Sequence, residues 1–450
     1  MKLFEHQERA LQQTEGQNRV AYYLDMGLGK TFIGSEKAKE LGSNVILLVC
    51  QKSKVQDWID HFETNYSNIH VLDFTQSKQY KLFNDRGYKV FLDNSPEIYV
   101  INYELAWRRK KLKQLQNFTL MLDESSLIQN QTAKQSKFIM QLNPSNVILL
   151  SGTPCSGKYE NLWTQIHLLG WNISEDLYNK QYVNWVKVER DGYIYKEVDK
   201  ENPYKNIERL KNKLREHGAV FMKTEEVFDL PEQTFIKKFV PTSKEYWKFV
   251  KNDIISIDTL NLCEFKDESD FYGKDVTPFV EMIGDTSLKK RLHCRQLCGM
   301  YSKEKLSAFK ELVESTQDRL IVFYNYTAEY LAMVKIAEQL GRPQSIVNGQ
   351  QKQLINYENC DNSITFVQYQ AGAKGLNLQK ANKIIYFSLT DKVEDWMQSQ
   401  KRIHRIGQNK PCFYYILMCR GSVEEKIFDS LERGVDYTDE LFRQDQELYS

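Results

Sequence analysis

Val20-Ala-Tyr-Tyr-Leu-Asp-Met-Gly-Leu-Gly-Lys-Thr31 opens as an apolar run and closes on glycines, a lysine and a threonine. Val20–Leu24 reads as a buried strand, and the residues from Phe32 read as a helix. Strand, glycine turn and helix together make the geometry of a phosphate loop. Gly27 and Gly29 let backbone N–H groups turn inward around phosphate oxygens. Lys30 is placed to reach β and γ phosphates, and Thr31 to hold Mg²⁺ through its hydroxyl. The dipole of the following helix adds to anion binding. Leu24 stands where the full G-x-x-x-x-G-K-[ST] pattern has its first glycine. The plainer alternative, a glycine turn before a helix, leaves Lys30 and Thr31 without a task.

Working outward, the same texture recurs. Val45–Cys50, Ile98–Asn102, Phe118–Leu122 and Val147–Leu150 are short apolar runs bounded by polar or turn residues. Runs without clean alternation suit parallel strands covered on both faces, so an α/β doubly wound domain is expected. Residues 159–218 read as a mainly helical insertion with a small hairpin around Asp191–Gly192. Pro231 and Pro241 then bracket an extended stretch, taken as the domain border. A second series follows in Leu320–Tyr324, Ser345–Val347, Ile364–Tyr369, Lys383–Phe387 and Phe413–Met418. The expectation is α/β, with two parallel-sheet lobes and short helical insertions. Lobe 1 spans 1–231 and binds the nucleotide, with its insertion at about 159–218. Lobe 2 spans 232–450, with its insertion at about 243–300. The acidic end from Asp436 reads as a solvated helix or tail.

Bulk composition sets limits. A chain of 450 residues with 41% hydrophobic and 27% charged residues has enough apolar material for two packed cores. The net charge of +1, from 61 basic against 60 acidic residues, excludes a surface coated in basic charge. It leaves room for a confined basic track. Glu5, His6, Glu8 and Arg9 interrupt any signal-peptide apolar core, and Val45–Cys50 is too short to cross a bilayer. A soluble cytoplasmic protein, in the host cytoplasm if viral, with no membrane partner is expected. Eight cysteines form no C-x-x-C pair. Cys294, Cys298 and His293 lack a second ligand pair, so buried thiols are expected rather than zinc.

Two further segments carry chemistry. Phe118-Thr-Leu-Met-Leu-Asp123-Glu124 is an apolar run ending in two carboxylates. Beside a phosphate loop, Asp123 suits Mg²⁺ and Glu124 suits orienting or deprotonating a water. Alone, Asp-Glu-Ser-Ser is equally good helix-capping chemistry. In Gln398-Ser-Gln-Lys-Arg402-Ile-His-Arg405-Ile-Gly-Gln408, the two arginines are three apart and are expected on one helix face. Two guanidiniums there suit a triphosphate, as catalytic groups together with Lys30 and Glu124. A solvated basic helix is the alternative, and His404 reads as packing.

These sites, in this order, resemble the SWI/SNF-like branch of the superfamily-two helicases along nearly the whole chain. Leu3-Phe-Glu-His-Gln7 resembles the opening L-x-x-Y-Q segment, which implies that Gln7 reads adenine. Asp25–Thr31 resembles D-E-M-G-L-G-K-T, and Ile101-Asn-Tyr-Glu104 resembles T-S-Y-E. Leu149-Leu-Ser-Gly-Thr-Pro154 resembles the T-G-T-P coupling motif, followed by Asn161-Leu-Trp163. Val322-Phe-Tyr-Asn325, Ala371-Gly-Ala-Lys-Gly375-Leu-Asn377 and Arg402–Gln408 resemble the second-lobe motifs. The resemblance implies two RecA-like lobes that close on ATP and Mg²⁺ and move along duplex or branched DNA. It implies DNA contacts at Lys52, Ser53, Tyr103, Asn325, Gly372 and Lys374. Ser126 stands where the D-E-x-H histidine is usual, which bears on coupling. Gln368 and Tyr369 replace a Ser-Thr pair, and Ala373 replaces a glycine. The compact chain looks like a bare motor, similar to phage-encoded members acting in replication or recombination by branch migration or fork remodelling. Two other readings share the ATP site: a strand-separating helicase on RNA or single-stranded DNA, and an ATP-gated nucleic-acid clamp. Trp107 with Arg108, Arg109, Lys110 and Lys111 reads as a solvated helix face or as a DNA contact.

Overall fold

A computed structural model describes residues 2–86, 89–91, 93, 95–190, 192–258, 279–369 and 376–442. The chain divides into two units, Met1–Phe228 with Gly434–Ser450, and Asp229–Arg433. The border falls just before Pro231. The stretch after Arg433, expected in lobe 2, belongs instead to the first unit. Gly434 comes so close to Gly157 that a Cβ on Gly157 would lie 2.5 Å from the Gly434 Cα. A side chain at Gly157 would collide with the backbone at Gly434.

The first unit is built on a seven-stranded sheet. Its strands are β1 (Arg19–Leu24), β2 (Val45–Cys50), β3 (His70–Asp73), β4 (Glu97–Asn102), β5 (Thr119–Asp123), β6 (Asn146–Ser151) and β9 (Ala219–Met222). Their order is β3-β4-β2-β5-β6-β1-β9, and every paired neighbour is parallel. All six residues of β2 are buried, as expected of a strand with helices on both faces. Helices α1 (Glu5–Gln12), α2 (Lys30–Glu40) and α3 (Val55–Asn65) contribute Ala10, Ile33, Ala38, Trp58 and Phe62 to the core over one face. Because β5, β6 and β1 are adjacent and parallel, the residues following all three emerge along one edge. That edge is where ligands gather in open parallel sheets.

The segment after β6 is helical at Trp163–Leu168, Glu175–Tyr182 and Ile207–Glu216. It also contains a separate antiparallel hairpin, β7 (Trp185–Arg190) with β8 (Tyr193–Val198), around Gly192.

The second unit has its own seven-stranded sheet: β10 (Gln233–Val240), β13 (Leu320–Tyr324), β14 (Gln344–Val347), β15 (Lys352–Gln353), β16 (Ile364–Gln368), β17 (Lys383–Tyr386) and β18 (Cys412–Cys419). The order is β10-β18-β17-β13-β16-β14-β15, parallel except for the β14–β15 pair. The extended stretch bracketed by Pro231 and Pro241 is a strand of the second sheet. The insertion there combines helices Lys244–Asn252 and Ser287–Gly299 with a pair of strands, β11 (Ile254–Asp258) and β12 (Phe279–Ile283). The chain is thus two RecA-like lobes in sequence, each an α/β unit on a largely parallel seven-stranded sheet. Among the described residues, no helix is long and apolar enough to cross a membrane.

Candidate functional site

The phosphate loop leaves the end of β1 and enters α2. Gly27 (φ 90°) and Gly29 (φ 76°) both sit in the left-handed region, which a side chain resists. Gly29 is doubly constrained, because a Cβ there would lie 2.1 Å from Gln7 Nε2. Lys30 begins α2 and folds back, its ammonium donating to the Leu24 carbonyl at 2.7 Å and the Asp25 carbonyl at 3.2 Å. Thr31 is half-buried beside it. Gln7, on α1, is buried; its Oε1 accepts from the Phe4 N–H at 2.9 Å, and its Nε2 donates to the Leu28 carbonyl at 3.4 Å. His6 Nε2 reaches the same carbonyl at 3.1 Å.

Asp123 ends β5. Its carboxylate accepts from Trp58 Nε1 at 2.8 Å, and its carbonyl accepts from the Tyr103 hydroxyl at 3.0 Å. Burial and the neighbouring Glu124 charge push the Asp123 carboxyl up to about 6, against the pull of the Trp58 bond and of Lys30. Glu124 follows with φ 54°, a strained conformation for a residue with a side chain. After β6 comes Ser151-Gly152-Thr153-Pro154. A Cβ on Gly152 would lie 3.5 Å from Lys30 Nζ, so this segment meets the phosphate loop directly.

One buried amide joins these parts. Gln165 Oε1 accepts from Ser125 Oγ at 2.7 Å and from the Tyr23 hydroxyl at 3.1 Å, and its Nε2 donates to the Pro154 carbonyl at 2.7 Å. Around it, Glu124 Oε2, Ser126 Oγ and Thr153 Oγ1 are buried without a hydrogen-bond partner among the described residues. Buried polar atoms are normally satisfied. These three lie on the two segments that Gln165 ties together, one of which carries Asp123 and the other meets Lys30 at Gly152, and they fit a triphosphate with its water and a divalent ion, with Thr31 and Asp123 as the ion's oxygen donors.

Sequence reasoning missed Trp58, Gln165 and Thr224, whose hydroxyl donates to Asp25 Oδ2 at 3.1 Å. Trp58 at helical spacing from Val55 reads as core. Nothing local marks Gln165 or Thr224, because their partners are distant in the chain.

Several expected residues stand differently. Tyr103 is buried, with burial and Asp123 raising its phenol well above the usual range. It supports the Asp123-Glu124 turn and offers no surface to DNA. Asn325 spends its Nδ2 on Ser388 Oγ at 2.9 Å and the Leu389 carbonyl at 3.0 Å, so it is an internal tie rather than an open contact. Lys52 and Ser53 are exposed. Lys52 lines a cleft of about 710 Å³ with Thr75, Asn102, Glu104 and Arg108. Gly372 and Lys374 lie outside the described residues.

The arginines do not share a helix face. The helix ends at Gln400, and residues 401–407 are turns. Arg402 is buried and donates to the Leu376 carbonyl at 3.0 Å. Arg405 is half-buried, with Nε unpartnered among the described residues, and desolvation lowers its pKa. The spacing of three that places two residues on one helix face also fits a run of turns. Of the basic cluster, Arg109 stacks on Tyr80 at 4.2 Å and Arg108 on Trp107 at 5.2 Å.

Comparison with known proteins gives the family of the chain. A model of the SNF2-related domain matches residues 23–299, and one of the helicase conserved C-terminal domain matches 304–407. The SWI/SNF-related matrix-associated actin-dependent regulator of chromatin subfamily A member 1 of Mus musculus is 23% identical, over 91% of this chain and 40% of its own length. The DNA repair and recombination protein RDH54 of Saccharomyces cerevisiae is 25% identical, over 85% of this chain and 44% of its own. The chain thus spans less than half the length of these curated relatives. The Sulfolobus solfataricus SWI2/SNF2 ATPase core in complex with dsDNA is 18% identical, covering 98% of this chain and 94% of that one at a TM-score of 0.45.

Proposed function

Because this chain belongs to the SNF2-related domain family, we propose that it hydrolyses ATP to drive its movement along duplex or branched DNA. The observation that carries this reading is the meeting of Lys30, Asp123-Glu124 and Ser151–Pro154 around three buried, unpartnered polar atoms. The finer proposal is a role in branch migration or fork remodelling. In its favour, one relative bears the name of a DNA repair and recombination protein.

Each residue has a part in the mechanism. Gln7 sits against the phosphate loop, where its amide can exchange the Leu28 carbonyl for a base edge. Lys30 trades two backbone carbonyls for phosphate oxygens, a charge-assisted and stronger bond. Bound through Thr31 and Asp123, Mg²⁺ would offset charge on the β and γ phosphates. Glu124 Oε2, buried and unpartnered, is positioned to take a proton from, or orient, the attacking water. Arg405 is the guanidinium assigned to transition-state charge, and Arg402 holds its segment in place. Gln165 ties the strand feeding the phosphate loop to the two segments that sense the γ-phosphate.

The test is ATP hydrolysis by wild type and Lys30→Ala on single strands, duplexes, forks and four-way junctions. Hydrolysis by wild type should rise with duplex or branched DNA, and Lys30→Ala should be inactive yet folded. Wild-type turnover in that variant removes the phosphate-loop assignment. DNA binding without turnover would favour a clamp, and separation of a simple partial duplex would favour a strand-separating helicase.

A further inference from the structure

The β7–β8 hairpin belongs to neither seven-stranded sheet. A two-stranded hairpin standing alone is marginal in water, yet this one is apolar at its tip, with Tyr193 68% and Ile194 69% exposed. Its register makes one face unusual. Lys187 lies directly opposite Lys196, flanked on the same face by the Trp185–Val198 and Glu189–Ile194 pairs. Like charges directly opposite destabilise an antiparallel pair. Neither lysine has an ion pair or hydrogen bond among the described residues, and both are exposed. Trp185, 42% exposed, lies one pair away on that face. Glu189, the carboxylate of the face, pairs across to Ile194 rather than to a lysine.

We propose that this face of the hairpin binds a single strand of nucleic acid, with phosphates at Lys187 and Lys196 and an unpaired base against Trp185. The strand's charge relieves the lysine pair, and base stacking covers the indole. A duplex supplies the phosphates but keeps its bases stacked inside, so the aromatic selects for unpaired segments. The proposal rests on the reading of the chain as a DNA motor and adds to it a second contact, suited to a junction where single and double strands meet.

The experiment uses the full chain with labelled oligo(dT), a blunt duplex and a fork. The variants are Lys187→Ala/Lys196→Ala, Trp185→Ala and Trp185→Phe. Hydrolysis without DNA should be unchanged in all three, which also reports folding. On oligo(dT), the double lysine variant should lower the slope of log affinity against log salt by about 1.4, from two phosphates at about 0.7 each. Trp185→Ala should weaken oligo(dT) by roughly tenfold or more, with partial rescue by Trp185→Phe and little change on blunt duplex. Variants that match wild type in affinity and slope on oligo(dT), while wild type binds DNA and is stimulated by it, overturn this proposal alone and leave the hairpin to a protein partner. Equal losses on duplex and oligo(dT) overturn the selectivity for unpaired bases. A wild type indifferent to every DNA overturns both readings.

Discussion

Asp123 is a carboxylate whose surroundings favour its neutral form, since burial comes first and Glu124 adds like charge. Its folded pKa, pushed up to about 6, stands above the ordinary 3.8. The protonated form therefore contributes stability that is fully present below 3.8 and is lost as pH rises through 6. At pH 8 the ionised group costs on the order of 3 kcal/mol. Asp123→Asn keeps an oxygen for Trp58 and removes the charge. In metal-free buffer at pH 8 the variant should melt higher than wild type, and the gap should close as pH falls toward 4. Thermal unfolding across that range checks it, and an equal gap at both ends would mean that the carboxylate is not the cause. The same variant should not hydrolyse ATP. Stability given up at one residue is what a binding site for a cation requires.

At the scale of elements, the segment after helix Val393–Gln400 shows how one motif divides its labour. Gln408 Nε2 donates to the carbonyls of Gln379 at 3.0 Å and Ala381 at 2.9 Å, and His404 Nε2 meets the Pro231 carbonyl at 2.9 Å. With Arg402 on Leu376, these bonds hold the turns that present Arg405. Arg402→Met should therefore cost roughly 2 kcal/mol or more in stability, the worth of a buried charged hydrogen bond. Arg405→Met should leave melting nearly unchanged and lower kcat on the order of a thousandfold. Melting and turnover measured on the same preparations separate the two, and equal effects would undo the division. Elements of this kind were only half legible in the sequence. Apolar runs such as Val45–Cys50 announce strands because both faces are buried. His70–Asp73 is too short and too mixed to do so, and Ala219–Met222, though wholly apolar, is only four residues long. Gln233–Val240 hid between prolines because its partner, Cys412–Cys419, lies far along the chain. Residue types betrayed the nucleotide loop and the paired carboxylates. Direction of a side chain is a tertiary property, so the sequence pattern does not reveal that Tyr103 and Asn325, expected at DNA, and Arg402, expected at the triphosphate, make internal hydrogen bonds.

At the scale of the whole molecule, the decisive number is the net charge of +1. A chain this neutral has no broad field to steer DNA, so its grip must come from a few local cations. The exposed candidates are Lys52 and Arg108 at the rim of one cleft, and Lys187 and Lys196 on the hairpin. Each phosphate neutralised on duplex DNA contributes about 0.9 to the slope of log affinity against log salt. Two such contacts at the cleft and two single-strand contacts of about 0.7 each at the hairpin predict a slope of about −3, well short of the roughly −10 of a repressor that grips DNA with a basic surface. Affinity for a fork measured from 50 to 200 mM salt, in steps, should give that shallow line, and DNA-stimulated hydrolysis should decline in parallel. Lys52→Ala should remove about one unit of slope without altering hydrolysis in the absence of DNA. A slope near −10 would require a basic surface that this composition does not supply, and would point to contacts outside these four residues.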